Sequence, residues 1–444
     1  MSEALLSVGL DVGTTSTQLV VSRLTIENRA SAFTVPDMDI TERTILYKSP
    51  VFFTPLVDDS HVDGGAIRAL VEGEYRKAGI RREDVDTGAI IITGETSRKE
   101  NARTVLHSLS DYAGDFVVAT AGPDLESVLA AKGAGAVRFS RESGKAVLHM
   151  DIGGGTSNLA LIEDGKILRT GCLNVGGRLV TYDENGRICY VSGVLDGIFH
   201  KKPGESVTGA ELQTLANTLT QALEMAAGLR APTALLDRLL TEETERKWNP
   251  PEGEVVLSFS GGVADCVARK LPWNQFHDLG PILGQTIRES ALCRGAYVLG
   301  KETIRATVIG AGSYSTQLSG STVYSQNVRF PLKNLPVIGQ ERGWREGSVV
   351  LAVPAAASPT YAQVRRMAQK LTQNSPPELY ICLEADMAKA LGQALAARLP
   401  PETRILCIDR IRVGENSYLD IGAPVGSAFP VVVKTLVLEG EAHE

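Results

Sequence analysis

The chain has 444 residues, 43% of them hydrophobic and 22% charged. That is the composition of an ordinary globular protein of about two to four domains. A net charge of −7 without a long Lys/Arg run argues against nucleic acid as a partner. The six cysteines (Cys172, Cys189, Cys266, Cys293, Cys382, Cys407) form no C-x-x-C pair, which argues against zinc ribbons and clustered iron–sulfur sites and for thiols in a reducing cytosol. The N-terminus lacks a secretory pattern and no segment approaches the ~18 apolar residues of a membrane span, so no membrane contact and a cytoplasmic location are expected.

The first informative element is a hairpin. An apolar strand at residues 5–10 runs into Asp11-Val12-Gly13-Thr14-Thr15-Ser16-Thr17-Gln18-Leu19. A second strand at 146–150 runs into Asp151-Ile152-Gly153-Gly154-Gly155-Thr156-Ser157-Asn158-Leu159. The two align without a gap at a constant offset of 140, with Asp, Gly and Leu identical and hydroxyl or amide residues matched elsewhere. Both read as β-hairpins with Gly- and Thr-rich turns.

Such turns suit phosphate. Glycines fold the backbone tightly and point successive N–H groups into one concavity, and Ser/Thr hydroxyls add donors. An Asp at the strand end repels phosphate but can hold hydrated Mg²⁺, which keeps several waters and takes one or two carboxylates. Two facing copies imply a nucleoside triphosphate and Mg²⁺ held between two related halves. Asp11 and Asp151 are the metal candidates. Gly13, Thr14, Thr15, Gly153, Gly154, Gly155 and Thr156 are the phosphate candidates. No Walker A motif is present.

Between the hairpins lie a β-like stretch at 44–54, a helical stretch at 64–78 and a buried strand at 89–93 that ends at Gly94-Glu95-Thr96. Leu212, Leu215, Leu219 and Leu223 recur at helical spacing within 201–247, so that region is expected to be mostly helical. A strand at 255–260 ends in Gly261-Gly262. Residues 308–318 repeat Ser-Thr-Gln-Leu without the Asp and read as a degenerate hairpin or a chance match after a strand. From 349 to 437 strands and helices alternate, which predicts an α/β module.

The paired hairpins resemble the two phosphate motifs of the superfamily of actin, seventy-kilodalton heat-shock chaperones and sugar kinases. Residues 123–136 resemble its first connecting helix, and 255–264 its adenosine motif. The resemblance implies an α/β fold of two ribonuclease H-like domains, at 1–140 and 141–304, with a helical insertion around 201–247 and a C-terminal α/β module at 305–444 available for partner contact. It also implies that Gly261 and Gly262 approach the adenosine. Glu95 and Glu126 are then the candidates for orienting the attacking water.

Fold does not fix function. A small-molecule, sugar-type kinase would use the same ATP clamp, although nothing marks the Asp base it needs, and a nucleotide-dependent filament is a third reading. Over its whole length the chain resembles the ethanolamine ammonia-lyase reactivating factors, through Gly9-Leu10-Asp11-Val12-Gly13-Thr14-Thr15-Ser16-Thr17-Gln18, residues 92–102, 259–266 and 310–320. That resemblance implies a chaperone-like, slow ATPase acting with ATP and Mg²⁺. It also implies ethanolamine ammonia-lyase as the partner, with that enzyme's damaged adenosylcobalamin exchanged for intact cofactor; the cobalamin would belong to that client. Homo-oligomerisation and association with a bacterial microcompartment are left open.

Overall fold

The apolar run that opens the chain becomes β1 (Glu3–Val12), which continues through β2 (Ser16–Asn28) and β3 (Met38–Lys48) as an antiparallel meander. On its other edge β1 pairs in parallel with β4 (Thr87–Ile92), followed by β5 (Val118–Thr120), giving the order β3-β2-β1-β4-β5. The two-residue strand Phe52–Phe53 adds to the start of β2. The computed structural model describes residues 3–13, 16–30, 38–58, 61–92, 101, 105, 109, 118–120, 123–241, 248–251, 253–300, 302–314, 316–320, 322–339, 349–353, 360–373, 376–411, 413, 417–425 and 428–435.

The same order recurs in the second half. Strands β6 (Val147–Ile152), β7 (Ser157–Glu163), β8 (Lys166–Leu173), β9 (Val256–Ser260) and β10 (Tyr297–Leu299) form a five-stranded sheet β8-β7-β6-β9-β10. In both sheets the first hairpin is antiparallel and the fourth strand joins the first in parallel. Strands β4, β6 and β9 are buried at every residue, as expected of central strands covered on both faces.

Helices cover these sheets. In α1 (Gly64–Ala78) the Asp63 carboxylate accepts from the Ala66 N–H at the N-terminus, and Ile67, Val71 and Tyr75 pack under Val8, Leu10 and Ile90. In α4 (Gly209–Ala226) the four leucines at helical spacing are buried with Met150, Leu159 and Phe259 of the second sheet. The helix α5 (Ala234–Leu239) follows it, and residues 242–247 lie outside the described residues. The helical expectation for 201–247 therefore holds for α4 and α5, whereas residues 201–208 are not helical. A short hairpin, Val180–Tyr182 with Ile188–Val191, was not anticipated.

Two helices exchange between the halves. Helix α2 (Pro123–Gly133), followed by α3 (Ala136–Ser143), leaves the first sheet but touches the second. There Ser127 Oγ donates to the Gly171 carbonyl at 3.3 Å, and Thr170 Oγ1 donates to Asp124 at 2.6 Å. After α6 (Gly262–Ala268) and α7 (Gly280–Glu289), helix α8 (Ala306–Tyr314) returns to the first sheet. Ser7 and Gly312, and Ser22 and Ser313, are hydrogen-bonded there. The two helices cross with no room for a side chain. A Cβ on Gly133 would lie 1.9 Å from the Ala306 carbonyl oxygen, and one on Gly310 2.1 Å from that of Leu129.

Residues 308–318 are thus not a degenerate hairpin. Most form α8, followed by a strand of three residues, β11 (Thr316–Leu318). The last module is an eight-stranded sheet that also contains β12 (Tyr324–Gln326), β13 (Leu332–Gly339), β14 (Val350–Val353), β15 (Glu378–Leu383), β16 (Arg404–Ile408), β17 (Ser417–Ile421) and β18 (Pro430–Thr435). The order is β11-β18-β17-β13-β14-β15-β16-β12, with β13 to β16 parallel. The helices α9 (Tyr361–Leu371) and α10 (Ala388–Ala396) lie between the parallel strands in sequence and pack on them through Val364, Leu391 and Leu395. Val432 of β18 joins Ala89, Ile91, Leu129 and Ala311, and Thr87 and Thr316 share a buried 2.8 Å hydrogen bond, which fixes the module to the first half. Among the described residues no helix is long and apolar enough to cross a membrane.

Candidate functional site

The two hairpins share a turn hydrogen bond and a strand register at the described positions. In the first, Gly13 N–H donates to the Ser16 carbonyl at 2.9 Å and Asp11 lies opposite Gln18. In the second, Gly153 N–H donates to the Thr156 carbonyl at 2.9 Å and Asp151 lies opposite Asn158. Each of these four positions in one hairpin is 140 residues from its counterpart. Thr14 and Thr15, at the tip of the first turn, lie outside the described residues.

The second turn rests on a backbone shelf. Gly177 N–H donates to the Gly153 carbonyl at 2.9 Å, and Arg178 N–H to that of Gly154 at 2.7 Å. A Cβ on Gly176 would lie 2.3 Å from the Gly154 carbonyl oxygen, so the Gly176-Gly177 pair is shaped by this contact. Under the first turn the corresponding brace is Thr54, whose hydroxyl donates to the Gly13 carbonyl at 2.7 Å.

Both carboxylates are buried where their strands end, with Asp11 9% and Asp151 8% exposed. Asp151 accepts from Ser260 Oγ on β9 and, at 3.4 Å, from Thr307 Oγ1 on α8. Burial pushes its carboxyl up to about 6, against the lowering effect of the two hydroxyls. Thr307 therefore connects a helix lying on the first sheet to the carboxylate of the second. Gln18 makes another link, donating from Nε2 to the Ile304 carbonyl at 3.1 Å.

Residues directly opposite in an antiparallel pair share a face, so Gln18 and Asn158 neighbour the two carboxylates. Their remaining amide oxygens, Gln18 Oε1 and Asn158 Oδ1, are buried acceptors without a donor among the described residues. Leaving such an atom unsatisfied costs about 1–3 kcal/mol. Hydrated Mg²⁺ fits this donor set. The metal takes one or two carboxylates and keeps several waters, and water O–H groups are what orphaned amide oxygens lack. Among the described residues no three His, Cys, Asp or Glu side chains group into a metal cage. A divalent ion would therefore be held by carboxylate, water and phosphate together.

Glu126, near the start of α2, is 7% exposed and accepts from Asn158 Nδ2 at 2.8 Å. The structure thus brings Glu126 beside the second hairpin. Glu95 lies outside the described residues. Gly261, with φ of 86°, turns β9 into α6 and donates its N–H to the Thr303 carbonyl at 2.9 Å. A Cβ there would meet the Ile152 carbonyl oxygen at 2.3 Å, so both conformation and space require glycine next to the Asp151 strand end. Gly262 opens α6.

Sequence reasoning did not single out Gln18, Asn158, Ser260, Thr307 or His149 as site residues. Gln18 and Asn158 were detectable in principle, because a hairpin register read outward from the matched turns sets them opposite Asp11 and Asp151. His149 lies two residues before Asp151 on the same strand. It is fully buried between Ser258 and Ser260, and burial pushes its imidazole down to about 3.

Two sheets of identical order, each opening with an Asp-bearing hairpin, and two helices exchanged between them define the actin-like ATPase fold. The chain belongs to the family of the ethanolamine utilisation protein EutA, whose pattern it matches over residues 3–348 and 344–439. It is 39% identical over 472 aligned positions to the ethanolamine ammonia-lyase reactivase EutA of Salmonella typhimurium, covering 97% of this chain and 98% of that relative. Identity to the Escherichia coli protein of the same description is 38% over 468 positions, with the same coverage. Among solved structures, a Ppx/GppA family member from Aquifex aeolicus is similar over 69% of this chain and 97% of its own, at 14% identity and a TM-score of 0.42.

Proposed function

We propose that this chain is an ATP- and Mg²⁺-dependent reactivase of ethanolamine ammonia-lyase, promoting exchange of that enzyme's damaged adenosylcobalamin for intact cofactor. The observation that carries the reading is the 39% identity, end to end, with a reactivase of that lyase. The duplicated hairpins supply the physical side. Backbone N–H groups of the Gly13 turn and of the Gly153-Gly154-Gly155 turn, with the neighbouring Thr hydroxyls, receive phosphate oxygens from opposite halves. Asp11 and Asp151 would hold the hydrated metal, and Gly261 and Gly262 would let the backbone approach the adenosine. When bound, Mg²⁺ neutralises charge on the phosphates. Glu126, fixed by Asn158, orients the attacking water.

Because both halves reach the same phosphates, nucleotide favours one spacing of the halves, and loss of the terminal phosphate relaxes it. A client that binds the two spacings differently is driven between conformations. The eight-stranded module fixed to the first half supplies the surface that follows this motion and contacts the lyase. The test is reactivation of lyase inactivated by turnover, with intact adenosylcobalamin, ATP and Mg²⁺ supplied. Recovery that needs this chain and is lost with ADP supports the reading. No recovery, or ATP hydrolysis stimulated by a sugar with phosphosugar formed, contradicts it.

A further inference from the structure

Beneath Asp151 runs a file of side chains that the proposed chemistry does not use. On paired strands β6 and β9, His149 is in register with Ser258 and Asp151 with Ser260. His149 Nδ1 is 3.0 Å from Ser258 Oγ, its Nε2 is 2.9 Å from Ser260 Oγ, and Ser260 Oγ donates to Asp151 Oδ1. Ser258, Ser260 and His149 are each at most 1% exposed.

The donor count fixes the direction of this chain. A carboxylate only accepts, so the single hydroxyl proton of Ser260 is committed to Asp151. Ser260 Oγ can then meet His149 Nε2 only as an acceptor, so Nε2 carries the imidazole proton. In a neutral ring Nδ1 is left as an acceptor, which the Ser258 hydroxyl satisfies. Every donor points toward Asp151.

The position 140 residues before His149 is Gly9, where a Cβ would lie 2.4 Å from the Val308 carbonyl oxygen of α8. Backbone packing leaves no space for a side chain there. At Gly9 the strand that leads to Asp11 is thus packed directly against α8.

We propose that His149, in its Nε2–H tautomer, is a positioning residue that orients the Asp151 carboxylate through Ser260. The proposal rests on the reading that Asp151 serves a divalent cation. Outer hydrogen-bond partners of this kind are worth about 10–100-fold in metal affinity. Ser260→Ala and His149→Phe should each raise the Mg²⁺ concentration for half-maximal ATP binding by about that factor, measured well below each variant's melting temperature, which falls because a buried polar partner is removed. His149→Gln, whose amide N–H can still reach Ser260, should recover most of the loss.

Independently of nucleotide, ¹⁵N spectra of histidine-labelled wild-type chain at pH 8, assigned with His149→Gln, should show Nε2 protonated and Nδ1 bare. The opposite tautomer overturns the proposal, as does an unchanged Mg²⁺ requirement in both Ser260→Ala and His149→Phe. If wild-type chain shows no Mg²⁺ dependence, the proposed function fails, while the nitrogen resonances still decide the hydrogen-bond chain.

Discussion

Asn158 donates its amide N–H to Glu126 at 2.8 Å, joining the second hairpin to the helix that arrives from the first half. The contact is buried, with Glu126 7% and Asn158 5% exposed. It fixes a carboxylate beside the Asp151 turn. A group held this way can orient a water and receive its proton. Glu126→Ala should lower single-turnover ATP hydrolysis by about 10²–10⁴-fold while ATP affinity changes little. Equal losses in affinity and rate would assign Glu126 to structure instead.

The helix crossing leaves no room for a side chain at Gly133 or Gly310. Gly310 has the Leu129 carbonyl where a Cβ would sit, at 2.1 Å, and that neighbour is backbone and cannot rotate away. Gly310→Ala should destabilise the chain by about 1–3 kcal/mol or more. Gly73→Ala is the control, because its Cβ would meet nothing within 4 Å. Denaturant titration of the two variants checks the difference, and equal midpoints would contradict the crossing.

Asp278 predicts a pH dependence. Burial pushes its carboxyl up to about 6, against lowering by the Gly280 N–H, Arg178 and His277. The folded state therefore holds the proton more tightly than the unfolded state, whose carboxyl titrates near 3.8. Its stabilising share is complete below that value and is lost as pH rises to about 6. Two units correspond to about 3 kcal/mol as an upper bound. Asp278→Asn keeps an acceptor for Gly280 N–H and removes the buried charge. It should raise the melting temperature at pH 8 relative to wild type and have little effect at pH 4. A gain independent of pH would rule out this assignment.

The duplication was legible because both copies obey one local rule. An apolar strand, an Asp, a Gly-rich turn and a matched second strand keep their spacing at any distance along the chain. The two sheets follow from it. Helix α8 was not legible, since Thr307, Val308, Ile309, Gly310 and Gly312 are all poor helix formers. What holds it is tertiary. Gly310 and Gly312 admit the backbones of α2 and β1, and local propensity carries no record of that contact. The neighbours of Asp151 stayed hidden for a similar reason, because Ser260 and Thr307 come from elements 109 and 156 residues away. His149 gave no signal of its own, as a single histidine in a largely apolar strand reads as an ordinary buried side chain.

We propose that Asp11 and Asp151, from opposite halves, serve one nucleotide. Calorimetric titration of ATP with Mg²⁺ into wild type, Asp11→Asn and Asp151→Asn tests it most directly. One ATP per wild-type chain is expected, with affinity lowered at least about tenfold by either substitution and a comparable loss in wild type when EDTA removes the metal. Two ATP molecules per chain, or wild-type affinity in either variant, would contradict it.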